Sequence, residues 1–374
     1  MMMLVDCSRC HTPLQLPPGA RSIRCTVCHA VTLIAVPPPT QPHSQYMPPS
    51  SSFQYYSHPP PPLPYGVAPS PGYHIPSVHG KKRALICGVS YKYTEDELKG
   101  CFNDARCMKF LLVSRFKFPE SSILLLTEEE SDPYRRPTRQ NMINAMRWLV
   151  QGCQPGDSLV FHFSGHGSQK RNLTGDEIDG FDETLCPVDY KTHGQIVDDE
   201  INDIIVRPLP PGAKLHAIID ACHSGTVLDL PFLCRMDRTG KYSWEDHRPR
   251  SGRWKGTSGG EVFSFSGCDD NQTSADTSAL SKVTSTGAMT YSFIEAIERG
   301  HGGTYGSMLN AMRSTINNST SGSSEIFGRP GGGDLVSSLL TMLLEGGSLA
   351  SRIRQEPQLT SDQMFDVYKK PFSL

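Results

Sequence analysis

Between Val36 and Gly80 the chain carries no Asp, Glu, Lys or Arg, and fourteen of its 30 prolines fall between Pro37 and Pro76. Such a segment cannot offset the entropy of folding by apolar burial, so it is expected to be a disordered, partly polyproline-II spacer. Tyrosines at 46, 55, 56, 65 and 73 interleave the prolines, a composition that SH3- or WW-type domains could also engage. The segment divides the 374 residues into a cysteine-rich piece, 1–35, the linker, 36–80, and a remainder, 81–374, long enough to bury a full core. The basic trio Lys81-Lys82-Arg83 marks the second boundary and is expected to be a site of proteolytic nicking.

The charge is nearly balanced, with 36 basic and 38 acidic residues, so no bulk attraction to nucleic acid or membrane follows. No run of 18 apolar residues occurs, and the start, MMMLVDC, lacks the basic and long apolar regions of a secretory signal. A cytoplasmic location is expected, with the nucleus also accessible. Twelve cysteines in such a chain point to metal binding and catalysis before disulfides. Cys7-x2-Cys10 and Cys25-x2-Cys28, fourteen residues apart, suit a tetrahedral four-thiolate zinc site. A piece this short needs such a staple to fold. With four cysteines filling the shell, His11 and His29 are not needed as ligands, and the zinc is structural. Leu14, Pro17, Gly19 and Ala20 between the knuckles resemble the plant zinc finger of lesion-simulating-disease proteins. The finger is expected to bind partner proteins, zinc-finger regulators among them, rather than nucleic acid.

Two apolar runs in the large piece end alike. Leu159 to Phe163 closes on Ser164-Gly165-His166-Gly167, and Leu215 to Ile219 on Asp220-Ala221-Cys222-His223-Ser224-Gly225. Short β-branched and aromatic runs closing on small residues read as buried strands that deliver side chains at their C-terminal ends. Ligands bind at that edge of an open α/β sheet. Two parallel strands would bring His166 and Cys222 together across 56 positions of sequence. A cysteine attacks as thiolate, and a neighbouring histidine supplies that state.

SGHG followed at this distance by DACHSG resembles the metacaspases, caspase-like cysteine proteases of plants, fungi and protists. With the finger in front, the pattern is that of the plant type I members. Asp220 stands where caspases carry Gln. The resemblance implies a caspase-like α/β fold, a mostly parallel sheet with helices on both faces. It also implies a Cys222–His166 dyad, with the backbone N–H groups of Gly167 and Cys222 facing the oxyanion. The family's substrate pocket maps onto Cys101, Asp104, Ser164 and Asp220. Two carboxylates there imply Arg or Lys before the cleaved bond, with bidentate geometry favouring Arg. On local sequence alone Asp104 could equally be a helix N-cap.

Between the two strands the chain turns acidic, from Asp176 to Asp203, with Lys191 the sole opposing Lys or Arg. Clustered carboxylates either stay solvated or gather round a hard cation, and the spacing is not that of an EF-hand. The resemblance implies an activating calcium site at Asp182, Asp198, Asp199 and Asp229, leaving Asp176, Glu177 and Asp179 as solvated loop.

Elsewhere the pattern predicts strands at Ala84–Ser90, Ile123–Leu126, Glu261–Ser266 and Glu356–Ser361. Helices are predicted after Asp104 and at Arg139–Val150, Ile201–Val206, Met289–Glu298, Met308–Ile316 and Leu335–Leu344. Residues 238–260, rich in Gly, Lys and Arg, read as a mobile loop where the enzyme would cut itself, separating a large part (81–237) from a small part (261–374). Activation from a zymogen, a role in programmed cell death or stress, and a monomeric state complete the expectation. Two rivals stand beside it. A cysteine phosphatase needs Cys-x5-Arg, whereas position 228 is Leu. A zinc-finger adaptor would use the protease-like part only as a regulatory scaffold.

Overall fold

The computed structural model describes residues 81–172, 177, 180–237, 239–249, 252–269, 287–320 and 355–374. Before them it describes the backbone of four short strands. β1 (Met3–Asp6) and β2 (Pro13–Leu16) form one antiparallel hairpin, β3 (Ser22–Arg24) and β4 (Val31–Leu33) another. Cys7 and Cys10 fall in the connection of the first hairpin, Cys25 and Cys28 in that of the second. The cysteines, the linker and the helix expected at Leu335–Leu344 lie outside the described residues. The chain divides into two units, Met1–Val67 and Ala68–Leu374.

The larger unit alternates strand and helix at first: β5 (Lys82–Gly88), α1 (Cys101–Ser114), β6 (Ile123–Thr127), α2 (Arg139–Val150) and β7 (Ser158–Ser164). Short elements follow: β8 (Gly167–Arg171), β9 (Phe181–Leu185), α3 (Tyr190–His193), β10 (Ile196–Val197) and α4 (Asp198–Ile201). Then come β11 (Lys214–Asp220), β12 (Phe232–Met236), β13 (Tyr242–Asp246), β14 (Glu261–Asp269), α5 (Ala288–Glu298), α6 (Tyr305–Thr320) and β15 (Gln355–Ser361). Eight strands make one sheet in the order β13-β12-β15-β14-β11-β7-β5-β6. The five from β14 to β6 are parallel, as expected, and β15, β12 and β13 add on antiparallel.

Strand periodicity puts a core on each face of this sheet. Ala84 and Ile86 of β5 join Met108 and Leu111 of α1 and Ile294 and Met308 of α5 and α6. Leu85 and Cys87 point the other way, to Met146 and Leu149 of α2. The sequence of α2 is built for that place. Thr138 caps it by accepting from the Asn141 N–H at 3.3 Å, and Met142, Met146 and Leu149 form one apolar face.

Three expectations need correction. Cys101 to Asp104 do not precede α1 but form its first turn; the N-cap is Gly100, with φ at +125°, so Asp104 is not a cap. The basic trio is not an open nick site. Arg83 is buried in β5 with its guanidinium on the Gln151 carbonyl at 2.7 Å, and Lys82 donates to the carbonyls of Phe116 and Leu374. Nor is 238–260 a free loop. β13 pairs along β12, and Lys255 to Thr257 are buried.

Candidate active site

β7 and β11 are neighbours in register, with Ser164 beside Asp220. His166 and Cys222 each stand two residues past that pair, so the sheet delivers both to one edge. The loops touch there. A Cβ on Gly167 would lie 2.0 Å from the Cys222 carbonyl oxygen, so only glycine lets the two backbones meet. Gly167→Ala is expected to lower stability by about 1–3 kcal/mol through that overlap and to suppress peptide cleavage. Urea unfolding and a peptide assay check both.

His166 is 4% exposed, and its Nε2 lies 2.8 Å from the Asp96 carbonyl oxygen. A carbonyl only accepts, so Nε2 carries the proton and Nδ1 is the basic nitrogen. Burial holds the imidazole below its usual 6.5, partly opposed by Asp96. Cys222 is partly exposed, unlike Cys87, Cys101, Cys107, Cys186 and Cys234, which are buried. The Cys101 thiol is held well above its usual value by burial and then by the Asp104 charge, so it is no thiolate.

The four expected pocket residues come together. Ser164 Oγ donates to Asp104 Oδ2 at 2.7 Å, and all four side chains are buried. Asp220 Oδ2 accepts from the Thr290 N–H at 2.7 Å, at the start of α5, while its Oδ1 is buried with no hydrogen-bond partner. Burial and then the Asp220 charge drive the Asp104 carboxyl well above its usual range. Burial likewise raises Asp220 to about 6, against the N–H groups of the first turn of α5. Two buried carboxylates, one with an orphaned oxygen, make a site that gains from a cation.

The acidic stretch is organised differently from the expectation. Asp198 accepts from the backbone N–H groups of Glu183 and Asp199, and burial, then Glu183 and Asp229, push its carboxyl up to about 9. Asp229, raised to about 8 chiefly by burial, lies 2.8 Å from Lys255 Nζ. Lys255 is 3% exposed and also lies 2.5 Å from Glu177 Oε1. Burial pulls its ammonium down, but the two carboxylates outweigh that and keep it charged. Arg253 reaches Asp199 at 3.1 Å, and Asp182 accepts from Asn172. Glu177, expected to be solvated, is therefore a partner of a buried lysine. Asp176 and Asp179 lie outside the described residues. Among the described residues no three carboxylates stand together as a ready metal cage.

A family model for the metacaspase peptidase C14 domain matches residues 82–231, and one for the LSD1 zinc finger matches residues 7–31. Metacaspase-1 of Arabidopsis thaliana is 64% identical, across 100% of this chain and 96% of that protein. The chain belongs to the metacaspases. It is of the plant type I kind, with finger and peptidase domain in one chain. Metacaspase-2 of the same plant is 58% identical over the full length of both chains. Metacaspase-1 of Schizosaccharomyces pombe is 37% identical over 66% of this chain and 67% of its own. This metacaspase is accordingly a cysteine-type peptidase acting on protein substrates. Among the described residues no helix is long and apolar enough to cross a membrane.

Proposed function

We propose that this metacaspase cleaves polypeptides after Arg or Lys by a Cys222–His166 dyad, and that calcium enables it. The observation that supports the dyad best is the β7–β11 register, which carries His166 and Cys222 to one sheet edge where Gly167 meets the Cys222 backbone. The Cys222 thiolate attacks the scissile carbonyl, and the N–H groups of Gly167 and Cys222 receive the oxyanion. His166 Nδ1 takes the Cys222 proton as the thiolate forms, gives it to the leaving amine, then draws one from water for deacylation. The preference for Arg rests on Asp104 and Asp220. A guanidinium would meet the orphaned Asp220 Oδ1 and draw both raised carboxyls toward their charged forms.

The calcium reading rests on chemistry rather than a formed cage. Asp198, Asp199 and Asp229 are oxygen donors suited to a hard cation. Asp229 faces Lys255, so a cation there would have to replace that ammonium. Asp182, expected as the fourth ligand, is engaged by Asn172. Bound calcium would supply charge to these carboxylates and leave the chemistry to the dyad. Displacing Lys255 would also loosen 238–260, the segment proposed for self-cleavage. Lys241 and Arg248 are exposed there, while Lys255 is buried, so the first cut falls at an exposed residue. The two hairpins, each carrying one CxxC pair in its connection, support four-cysteine zinc ligation and a finger that engages other proteins. A role in programmed cell death follows the family.

The test is a pair of fluorogenic peptides, Arg or Asp before the cleaved bond, each with calcium and with chelator. Cleavage of the Arg peptide alone, dependent on calcium, is expected. Cleavage of the Asp peptide would overturn the pocket assignment, and indifference to chelator the calcium assignment.

A further inference from the structure

Tyr91 touches His166 in two ways. Its ring lies over the imidazole, with centroids 4.7 Å apart and planes at 39°. Its hydroxyl accepts from the His166 backbone N–H at 3.0 Å and donates to the Cys186 carbonyl at 2.5 Å. Cys186 N–H in turn donates to the His166 carbonyl at 3.0 Å, so the hydroxyl closes a ring around the His166 backbone. The side chain is 2% exposed, so this clamp lies out of reach of water.

The backbone of Tyr91 is in the left-handed region, φ +49°, which a bulky residue adopts only under constraint. The constraint is visible. Glu128, just beyond β6, accepts from three successive N–H groups, those of Ser90, Tyr91 and Lys92, at 2.5, 2.9 and 2.9 Å. Three N–H groups curled round one carboxylate form an anion nest filled by the chain's own side chain. The same loop ends at Asp96, whose carbonyl receives His166 Nε2, and whose carboxylate is tied to Tyr190 and Lys191.

We infer that Tyr91 and Glu128 are positioning residues for His166. Glu128 fixes the strained turn, the turn aims the Tyr91 hydroxyl and ring, and these set the plane in which Nδ1 presents itself to Cys222. The inference rests on His166 as the partner of Cys222.

The test is the rate of Cys222 alkylation by iodoacetamide against pH, read on the Cys222 peptide by mass spectrometry, for the full-length chain. Tyr91→Phe keeps the ring and removes both hydrogen bonds. Glu128→Gln keeps the size of the side chain and removes the charge that holds the nest. Both are expected to move the alkylation profile up toward that of an ordinary thiol, near 8.5. Their rate at pH 7 should drop about tenfold, the factor for one unit of thiol pKa. In peptide assays kcat should fall with KM unchanged, because substrate binding sites are untouched. Glu128→Asp should recover part of the rate. Profiles superimposable on the wild type for both variants, with His166→Ala strongly shifted, would overturn the positioning role and leave the dyad intact. An unshifted His166→Ala profile would overturn the dyad and the inference with it.

Discussion

Asp220→Asn is expected to lower kcat/KM for an Arg peptide by about 30-fold to several thousand-fold, the equivalent of roughly 2–5 kcal/mol for breaking a buried charge pair. The substitution keeps one carbonyl oxygen to receive the Thr290 N–H, so the start of α5 is preserved. It removes the negative charge beside Asp104, and with it the attraction for guanidinium. The stability effect has the opposite sign. In the free enzyme Asp220 is raised to about 6 by burial, above its unfolded value of 3.8. A raised carboxyl contributes stability that is fully present below the unfolded value and is lost as pH rises through about 6. The wild type should therefore lose stability relative to Asp220→Asn between pH 4 and 7, read as the difference of their urea unfolding energies. Activity should follow the same proton, with KM for the Arg peptide rising below about pH 6 as Asp220 becomes neutral. Equal kcat/KM in the two proteins would remove Asp220 from the pocket.

Lys255→Met should have the second large effect, on the proposed calcium site. Lys255 is buried between Glu177 and Asp229, and its loss leaves both carboxylates without their cation. Breaking such a pair costs about 3–5 kcal/mol, so the calcium-free variant should unfold well below the wild type. Calcium would no longer compete with an ammonium. Calorimetric titration of Cys222→Ala chains, which cannot process themselves, should give tighter binding in the Lys255→Met background by tenfold or more. Calcium should also restore more stability to the variant than to the parent. Unchanged affinity together with unchanged stability would separate Lys255 from the cation site.

What the sequence disclosed and what it hid follow from range and pattern. The runs before Ser164 and Asp220 were legible because a buried parallel strand is largely apolar. Each is broken here by one histidine (His162, His216), and their small, polar ends marked the sheet edge. The helix predicted at Arg139–Val150 has those bounds in the structure, where Thr138 caps it and one apolar face is buried. β8 to β10 were not legible, since strands such as Gly167–Arg171, GSQKR, carry no apolar alternation. Residues Tyr242–Asp246 looked like loop for the same reason, and became a strand only by pairing with β12. Lys255 and Glu177 meet across 78 positions, and Tyr91 and His166 across 75, separations that no local pattern encodes. Nothing in the local sequence separates Glu128 from the acids beside it; only the three N–H groups around it do.

The most direct measurement is peptide mapping of the intact chain after treatment with a peptidyl-arginine chloromethyl ketone in calcium. Such a reagent needs the pocket to seat its arginine and a thiolate to displace its chloride. A single adduct is expected, on Cys222, that disappears with chelator, in Asp220→Asn and in His166→Ala. An adduct on a different cysteine, or undiminished cleavage with Cys222 unmodified, would contradict that expectation.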